Sequence, residues 1–219
     1  MSTQGGLNIV TDGLVFEVDA ANKLGGNVSN TKNLTNPNEV GTFVNGASVV
    51  NGAYDFDGVD DYISFPNVLN GWGNKFTFDV WVKFDSTATK AIFHKAKNVS
   101  GQLDFALFNN GALFAFADDS AGGAIWSTTT INTVDWFNVS ITWETNVEMK
   151  MYVNGNLEDT EPSTFGYSDA TAYPFNLGAS TNGTNFFLNG QIANFKIYNK
   201  ILTATEIQQN YEALKHNFE

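Results

Sequence analysis

The sequence predicts an all-β protein, an antiparallel sandwich or barrel with one short α-helix at its C-terminus. Three observations predict this class: apolar and polar residues alternate along several segments, clusters of Gly, Asn and Asp separate those segments, and only the C-terminal segment shows helical spacing. The chain has 219 residues without a long linker, so we expect a single large domain.

The clearest strand signals lie at residues 75–84, "KFTFDVWVKF", and residues 136–143, "WFNVSITW". Every second residue is apolar in both segments, which is typical of half-buried antiparallel strands. Two hairpin turns are predicted by Asn154-Gly155 and by the Asn-Asn-Gly sequence of residues 109–111, because Asn and Gly tolerate the positive φ of tight turns. Residues 20–52 are rich in Gly, Asn and Ser, and we expect a long surface loop there with one or two short strands, such as 42–44.

A capping box, Thr203 with Glu206, predicts the start of the only helix, over about residues 203–216. An apolar stripe then follows at spacings of four, three and four residues, formed by Ile207, Tyr211, Leu214 and Phe218. We expect this stripe to dock on the body of its own domain, with docking on a partner chain as the alternative. Residues 13–219 are assigned to the domain and residues 1–12 to an N-terminal arm.

The net charge of −12 makes nucleic acid and anionic membranes poor partners, because an acidic surface repels phosphate groups. No segment approaches the roughly 20 apolar residues that span a bilayer. Cysteine is absent, which excludes disulfides, zinc thiolates and thiol nucleophiles. Divalent cations and basic protein partners remain compatible with the composition.

The segment "FDGVDDYISF", residues 56–65, places three carboxylates around Gly58: Asp57, Asp60 and Asp61. In one interpretation this is a tight turn, in which glycine supplies an unusual backbone angle and the Asp side chains accept hydrogen bonds from turn amides. In the other, the carboxylates bind Ca²⁺, which takes 6–8 oxygen ligands, and Asp19 adds a further ligand. The sequence favours the turn.

Three aromatic residues in or near Gly-rich loops are candidates for stacking on a sugar ring: Trp72, Trp126 and Tyr167. For each of them the alternative is an apolar plug at the edge of the sandwich. Trp81 and Trp136 lie within or at the edge of predicted strands, and we interpret both as packing residues.

Several segments, in this order, resemble the laminin-G-like branch of the concanavalin A-like lectin/glucanase superfamily: "GLVFEVDAAN", "YDFDGVDDYISF", "FTFDVWVKF", "NLGAS" and "LNGQIANFKIYNKILTATEIQQNYEAL". The resemblance runs from about Gly13 to Phe218 and implies two antiparallel sheets packed as a jelly roll. Some related domains hold calcium, and many carry an Asp-Glu pair in the closing strand. Ala193-Asn194 occupies that place here, which argues against a metal site that relies on those acids.

The glucanases of this superfamily use an E-x-D-x-x-E run, because glycoside cleavage needs an acid and a nucleophile. The sequence contains no such run, and the acidic residues nearest to the pattern are interpreted as solvated charges beside hairpin turns: Glu144, Glu148, Glu158, Asp159 and Glu161. His94 and His216 lack a neighbouring Ser/Asp pattern. We therefore predict that the protein is not an enzyme.

The two ends of the chain, "NIVTDGLVFEVDAAN" and "LTATEIQQNYEALK", resemble stand-alone domains found among virion proteins of tailed bacteriophages. This resemblance implies a non-enzymatic virion structural protein, displayed on the capsid or tail in repeated copies or as an oligomer and contacting other virion proteins. The absence of a signal-peptide pattern fits assembly in a host cytoplasm. The alternative function is a carbohydrate-binding, lectin-like module that recognises cell-surface glycans, with or without calcium.

Overall fold

The computed structural model describes residues 7–22, 26–27, 29–66, 68, 73–95, 105–117, 124–163, 174–180 and 185–219. Seventeen strands and one α-helix follow along these segments. The strands are β1 Leu14–Asp19, β2 Gly26–Asn27, β3 Asn30–Lys32, β4 Val40–Val44, β5 Ser48–Val50, β6 Ala53–Asp57, β7 Tyr62–Phe65, β8 Lys75–Phe84, β9 Lys90–Lys95, β10 Phe105–Asn109, β11 Ala112–Ala117, β12 Ala124–Thr130, β13 Trp136–Glu144, β14 Glu148–Val153, β15 Asn156–Pro162, β16 Phe175–Leu177 and β17 Asn189–Tyr198. The helix, α1, spans Ala204–Leu214 and continues into a 3₁₀ turn over Lys215–Asn217.

The strands form two antiparallel sheets, which confirms the predicted all-β sandwich. Sheet A has the order β15-β14-β13-β8-β17-β6-β5, and β1 also pairs with β17. Sheet B has the order β12-β11-β10-β9-β16-β7-β4-β3-β2. Within the part of the chain that is described, no helix is long and apolar enough to span a membrane.

The core between the sheets is built largely from phenylalanine. Phe16 and Phe195 of sheet A meet Phe65, Phe93 and Phe175 of sheet B, with ring centroids 5.1–6.2 Å apart. Aromatic pairs at these separations add attraction beyond the burial of their area. The alternating apolar residues that predicted β8 and β13 all point into this core.

The C-terminal helix docks on the outer face of sheet A, as the apolar stripe predicted. The indole of Trp81 stacks on Tyr211 with centroids 5.7 Å apart and on Phe218 with centroids 4.1 Å apart. Trp136 also packs against Phe218, so both tryptophans are packing residues. Removing a buried ring of this size typically costs about 3–5 kcal/mol, which makes the helix a fixed part of the domain.

The helix begins with the predicted capping box: Thr203 and Glu206 exchange hydrogen bonds with each other's backbone amides. Its buried Asn210 accepts a hydrogen bond from the backbone N–H of Val10 (2.8 Å) and donates one to the Tyr198 hydroxyl (3.0 Å). That hydroxyl donates in turn to the Val10 carbonyl (3.1 Å). Residues 7–12 of the predicted arm therefore lie along the helix of their own domain.

A buried ion pair lies on the same face of sheet A as Trp81. Lys196 Nζ is 3.8 Å from Asp79 Oδ1 and donates a hydrogen bond to Asn194 (2.6 Å). The other Asp79 oxygen accepts hydrogen bonds from Ser140 (2.7 Å) and Asn138 (3.2 Å). Buried charges are tolerated when they are paired and hydrogen-bonded in this way.

The expectation for residues 20–52 is wrong in part. Four strands lie there instead of one or two, β2 to β5, and Thr31, Asn33 and Ala47 are buried. Gly41 has no space for a side chain, because a Cβ atom would lie 2.3 Å from the Phe65 ring. These strands are held by pairing with β6 and β7 and by packing, which their weakly apolar sequence does not reveal.

Candidate functional site

Of the three predicted sugar-stacking residues, the structure describes Trp126. Trp72 and Tyr167 lie outside the described residues. Trp126 lies on β12, an edge strand of sheet B, on the face that points away from sheet A. Its neighbour Ile125 belongs to the core between the sheets, so the alternation along β12 turns the indole outward.

An aromatic row crosses the outer face of sheet B. Phe108, Phe114 and Trp126 occupy paired positions on β10, β11 and β12. The Phe108 and Phe114 rings stack with centroids 5.2 Å apart, and Phe114 stacks on the Trp126 indole at 4.6 Å. Trp126 is 45% exposed, so the part of the indole that Phe114 does not cover is open to solvent. The row therefore holds an exposed indole in a fixed orientation.

Phe186 extends the row at its other end. Its ring meets Phe108 edge to face at 5.7 Å, and its side chain is 49% exposed. The backbone φ of Phe186 is +53°, a conformation that bulky residues rarely adopt. The Phe186 carbonyl accepts a hydrogen bond from the Ala91 N–H (2.8 Å), which helps to hold this conformation. Strained, exposed residues of this kind are common at binding sites.

Two carboxylates from β15 of sheet A close the edge beside Trp126. Asp159 Oδ2 accepts a hydrogen bond from the backbone N–H of Trp126 (2.9 Å). Glu158 accepts hydrogen bonds from the backbone N–H groups and hydroxyls of Thr128 and Thr129. The interpretation of Glu158 and Asp159 as solvated turn charges is therefore wrong. They join the edges of the two sheets and satisfy donors that an edge strand would otherwise expose.

The hydrogen bonds to Glu158 also govern its protonation. Burial by itself raises the pKa of the carboxyl, but the hydrogen bonds from Thr129 and Thr128 together outweigh it and hold the pKa below its ordinary value of 4.5. The carboxylate form is therefore the one that the folded protein stabilises.

His94 lies on β9 and is buried, with its ring 6.4 Å from that of Phe108. Burial lowers the pKa of the His94 imidazole to about 4, because the charged form loses hydration. At neutral pH this side chain is uncharged and lies beside Phe108 of the aromatic row.

The acidic loop at residues 57–61 forms a turn between β6 and β7. Gly58 has φ +80°, and a Cβ atom there would lie 2.6 Å from Asn189. Asp57 accepts a hydrogen bond from the Val59 N–H (2.8 Å). The buried Asp61 accepts one from Gly46 (2.5 Å) and one from the Asp57 N–H (3.2 Å). These are the contacts that the turn interpretation predicts.

The same three carboxylates could also approach a metal ion, since one ligand oxygen from each of Asp57, Asp60 and Asp61 lies within 4.8 Å of the others. Both oxygens of Asp61 are already hydrogen-bonded to backbone amides, however, so this ligand set is partly committed to the turn. Asp19 is not part of the group and accepts a hydrogen bond from the Ala21 N–H (2.9 Å). The donor set therefore fits a turn better than a calcium site.

The sequence reasoning identified Trp126 but missed its supporting residues. Phe108 and Phe114 could have been found, because a turn at Asn110-Gly111 pairs them directly across the β10–β11 hairpin. Phe186 and Asp159 reach the site through contacts between segments that lie far apart in the chain, and we find no local signal for them.

A sequence model of the family Laminin_G_3, described as concanavalin A-like lectin/glucanases superfamily, matches residues 57–208. The chain belongs to this superfamily. The match covers well over half of the sequence and includes the aromatic row, the acidic loop and the start of α1. No curated protein matches the sequence.

Solved structures show the same superfamily fold at low sequence identity. The Trypanosoma rangeli sialidase in complex with sialic acid has a TM-score of 0.75 and 18% identity, covering 94% of this chain and 34% of that one. The binding domain of Paraclostridial Mosquitocidal Protein 1 has a TM-score of 0.70 and 16% identity, covering 91% and 52%. A structure of botulinum neurotoxin type C, whose cell entry depends on interaction with two ganglioside molecules, has a TM-score of 0.68 and 16% identity, covering 92% and 51%. The chain thus spans about a third to a half of these proteins.

We predict that a chelator leaves the stability of the protein unchanged. Because the backbone amides satisfy Asp57 and Asp61, the turn needs no ion, and the melting temperature in excess EDTA should equal that in added CaCl₂. Differential scanning calorimetry measures both. A fall in melting temperature with EDTA, reversed by Ca²⁺ and absent from Asp60→Asn, would establish the calcium interpretation instead.

We predict that Glu158 makes the protein sensitive to acid. A carboxyl group whose pKa is lowered by folding adds stability above its unfolded value, and that stability is lost as the pH falls through the lower folded value. The free energy of unfolding, measured with urea, should therefore be lower for Glu158→Gln than for wild type at pH 7, and the difference should shrink by pH 3.5. Glu161→Gln, on the same strand, is the matched control, because it removes a charge without touching Thr128 or Thr129. An equal deficit for Glu158→Gln at both pH values would contradict the prediction.

Proposed function

We propose that the protein is a non-catalytic carbohydrate-binding module and that Trp126 is its sugar-stacking platform. The observation that carries the proposal is the aromatic row, in which an exposed indole is backed by Phe114 and Phe108. Most large aromatic side chains in the described part of the domain are buried in its core or packed under α1. An indole that is both exposed and rigidly supported needs another explanation, and ligand binding supplies one.

The chemistry around the indole suits a sugar. A pyranose ring has an apolar face that packs on an aromatic surface, and hydroxyls around its rim that need hydrogen-bond partners. Asp159 uses one oxygen for the Trp126 N–H and the other for the Thr160 N–H (2.8 Å). Because an ionised carboxylate offers about four acceptor sites, it retains capacity for ligand hydroxyls. Trp126 and Asp159 thus combine an apolar surface with adjacent acceptors.

Preorganisation favours binding at this site. The indole is restrained by stacking and its backbone by Asp159, so little side-chain freedom remains to be lost when a ligand arrives. Phe186 offers a second exposed ring at the far end of the row. A ligand longer than one sugar unit could therefore contact both ends.

Similar structures support this class of function. One is the Trypanosoma rangeli sialidase in complex with sialic acid, and another concerns the interaction of botulinum neurotoxin type C with two ganglioside molecules. At 16–18% identity these likenesses establish the fold alone, and the proposal for this chain depends on its own aromatic row.

Display on a phage capsid or tail, which the ends of the sequence suggested, is compatible with glycan binding and stays a prediction. Contacts with other virion proteins, repeated copies on a particle and the absence of catalytic activity also stay predictions.

We predict that Trp126→Ala weakens glycan binding at least tenfold. Loss of a central stacking ring in a binding site commonly costs 2 kcal/mol or more, and about 1.4 kcal/mol corresponds to a factor of ten. A glycan array identifies the oligosaccharide that binds wild type most tightly, and isothermal titration calorimetry then gives its Kd for each variant. Trp126→Phe should retain part of the affinity, because a smaller ring can still stack on Phe114.

The matched control is Val134→Ala, a change at an apolar side chain that is exposed outside the aromatic row. It should bind like wild type. Equal affinity of Trp126→Ala and Val134→Ala for the array ligand would overturn the choice of site. An array with no binding to any glycan would overturn the proposed function.

A further inference from the structure

We infer that the site beside Trp126 selects uncharged sugars and discriminates against sialylated or sulfated ones. This inference depends on the proposed glycan-binding function and names the class of ligand. It differs from what the similar structures would suggest, because two of them concern sialic acid or gangliosides. Charge and donor chemistry within this chain carry the inference.

The chain contains no arginine at all. Arginine is the side chain best suited to carboxylate and sulfate recognition, because its planar guanidinium donates two parallel hydrogen bonds to such groups. The eleven Lys and Arg positions of the chain are all lysines, and the chain has twenty-three acidic residues. A site for an acidic sugar would have to be built from lysine ammonium groups or backbone amides.

Seven of the nine described lysines are bonded elsewhere or buried. Five of them are paired with carboxylates: Lys75, Lys150, Lys196, Lys200 and Lys215. Lys90, on the sheet that carries the row, donates to the Gly58 carbonyl (3.3 Å), and Lys95 is buried. Lys23 and Lys97 lie outside the described residues. The carboxylate pairs and the hydrogen bond of Lys90 involve no residue of the row. The two remaining described lysines lie on strands that do not carry the row, Lys32 on β3 and Lys83 on β8 of sheet A.

Among the described residues, the charged side chains bonded to β12 at and next to Trp126 are negative. Asp159 is bonded to the Trp126 backbone, and Glu158 is bonded to Thr128, which is two residues further along β12. Glu158 is ionised at neutral pH, since hydrogen bonds hold the pKa of its carboxyl below even the ordinary value of 4.5. Two carboxylates beside the platform would repel an anionic group and accept hydrogen bonds from neutral hydroxyls.

Matched pairs of oligosaccharides test the inference directly. Each pair consists of a neutral glycan and the same glycan carrying a sialic acid or a sulfate, for example lactose with 3′-sialyllactose and with sulfated lactose. The same comparison is made for each neutral oligosaccharide on the array and its sialylated or sulfated form, which extends the test to other linkages. Binding is measured by calorimetry or by competition at 50 and 500 mM NaCl.

The neutral member should bind at least tenfold more tightly than its acidic counterpart at 50 mM NaCl, and its own affinity should change less than twofold with salt. Raising the salt concentration should reduce the difference in affinity between the neutral and the acidic glycan, because screening weakens the repulsion between the carboxylates and the acidic sugar. The Glu158→Gln variant keeps the indole and Asp159 but loses one negative charge. The difference in affinity should therefore be smaller in this variant at low salt as well. Glu161→Gln on the same strand is the charge-matched control.

Tighter binding of the acidic members would overturn the inference and leave the proposed function intact. A neutral preference that is the same at both salt concentrations and in Glu158→Gln would overturn the electrostatic basis of the inference. Failure of every neutral and acidic glycan to bind would overturn the proposed function, and the inference with it.

Discussion

The packing of Trp81 against the C-terminal helix determines which surface of the sandwich can meet a ligand. Tyr211 and Phe218 both stack on this indole, and Asn210 ties the segment around Val10 to the same helix. The outer face of sheet A is therefore used to complete the fold, including the burial of the Asp79–Lys196 pair. The two exposed rings of the aromatic row, Trp126 on β12 and Phe186, lie at the outer face of sheet B instead.

The candidate site depends on both sheets, although three of its four rings come from strands of sheet B. Strand β12 lies at the open edge of sheet B. The carboxylates on β15 of sheet A accept hydrogen bonds from the backbone N–H groups of β12. An edge strand is usually a place where a sheet is mobile or prone to unwanted pairing. Here the contact between the two edges stabilises the strand and positions Trp126, so the same residues serve stability and the proposed ligand binding.

Much of the fold could be predicted from sequence because its signals are local. Period-two alternation identified β8 and β13, the Asn154-Gly155 turn identified the β14–β15 hairpin, and the capping box located the start of α1. Trp126 could be identified as a candidate because it is an aromatic residue near a Gly-rich segment. The strands within residues 20–52 were underestimated, since pairing partners elsewhere in the chain stabilise them.

The rest of the site could not be predicted, because it depends on contacts between distant residues. Glu158 and Asp159 look like ordinary charges after a hairpin turn, and only the approach of β12, some thirty residues earlier, gives them partners. The positive φ of Phe186 is likewise set by tertiary contacts, among them the hydrogen bond to Ala91. The acidic loop is the opposite case: its Asp and Gly residues act on nearby amides, and its turn was predicted correctly.

The central claim is that ligands bind on the outer face of sheet B at the end of the aromatic row. The most direct test is a two-dimensional ¹⁵N NMR titration of the whole protein with the tightest-binding oligosaccharide from the array. The account predicts that the largest shift changes occur at the Trp126 indole N–H, at the amides of β11 and β12, and at Phe186. Shift changes confined to α1, or to the acidic loop at residues 57–61, would contradict it.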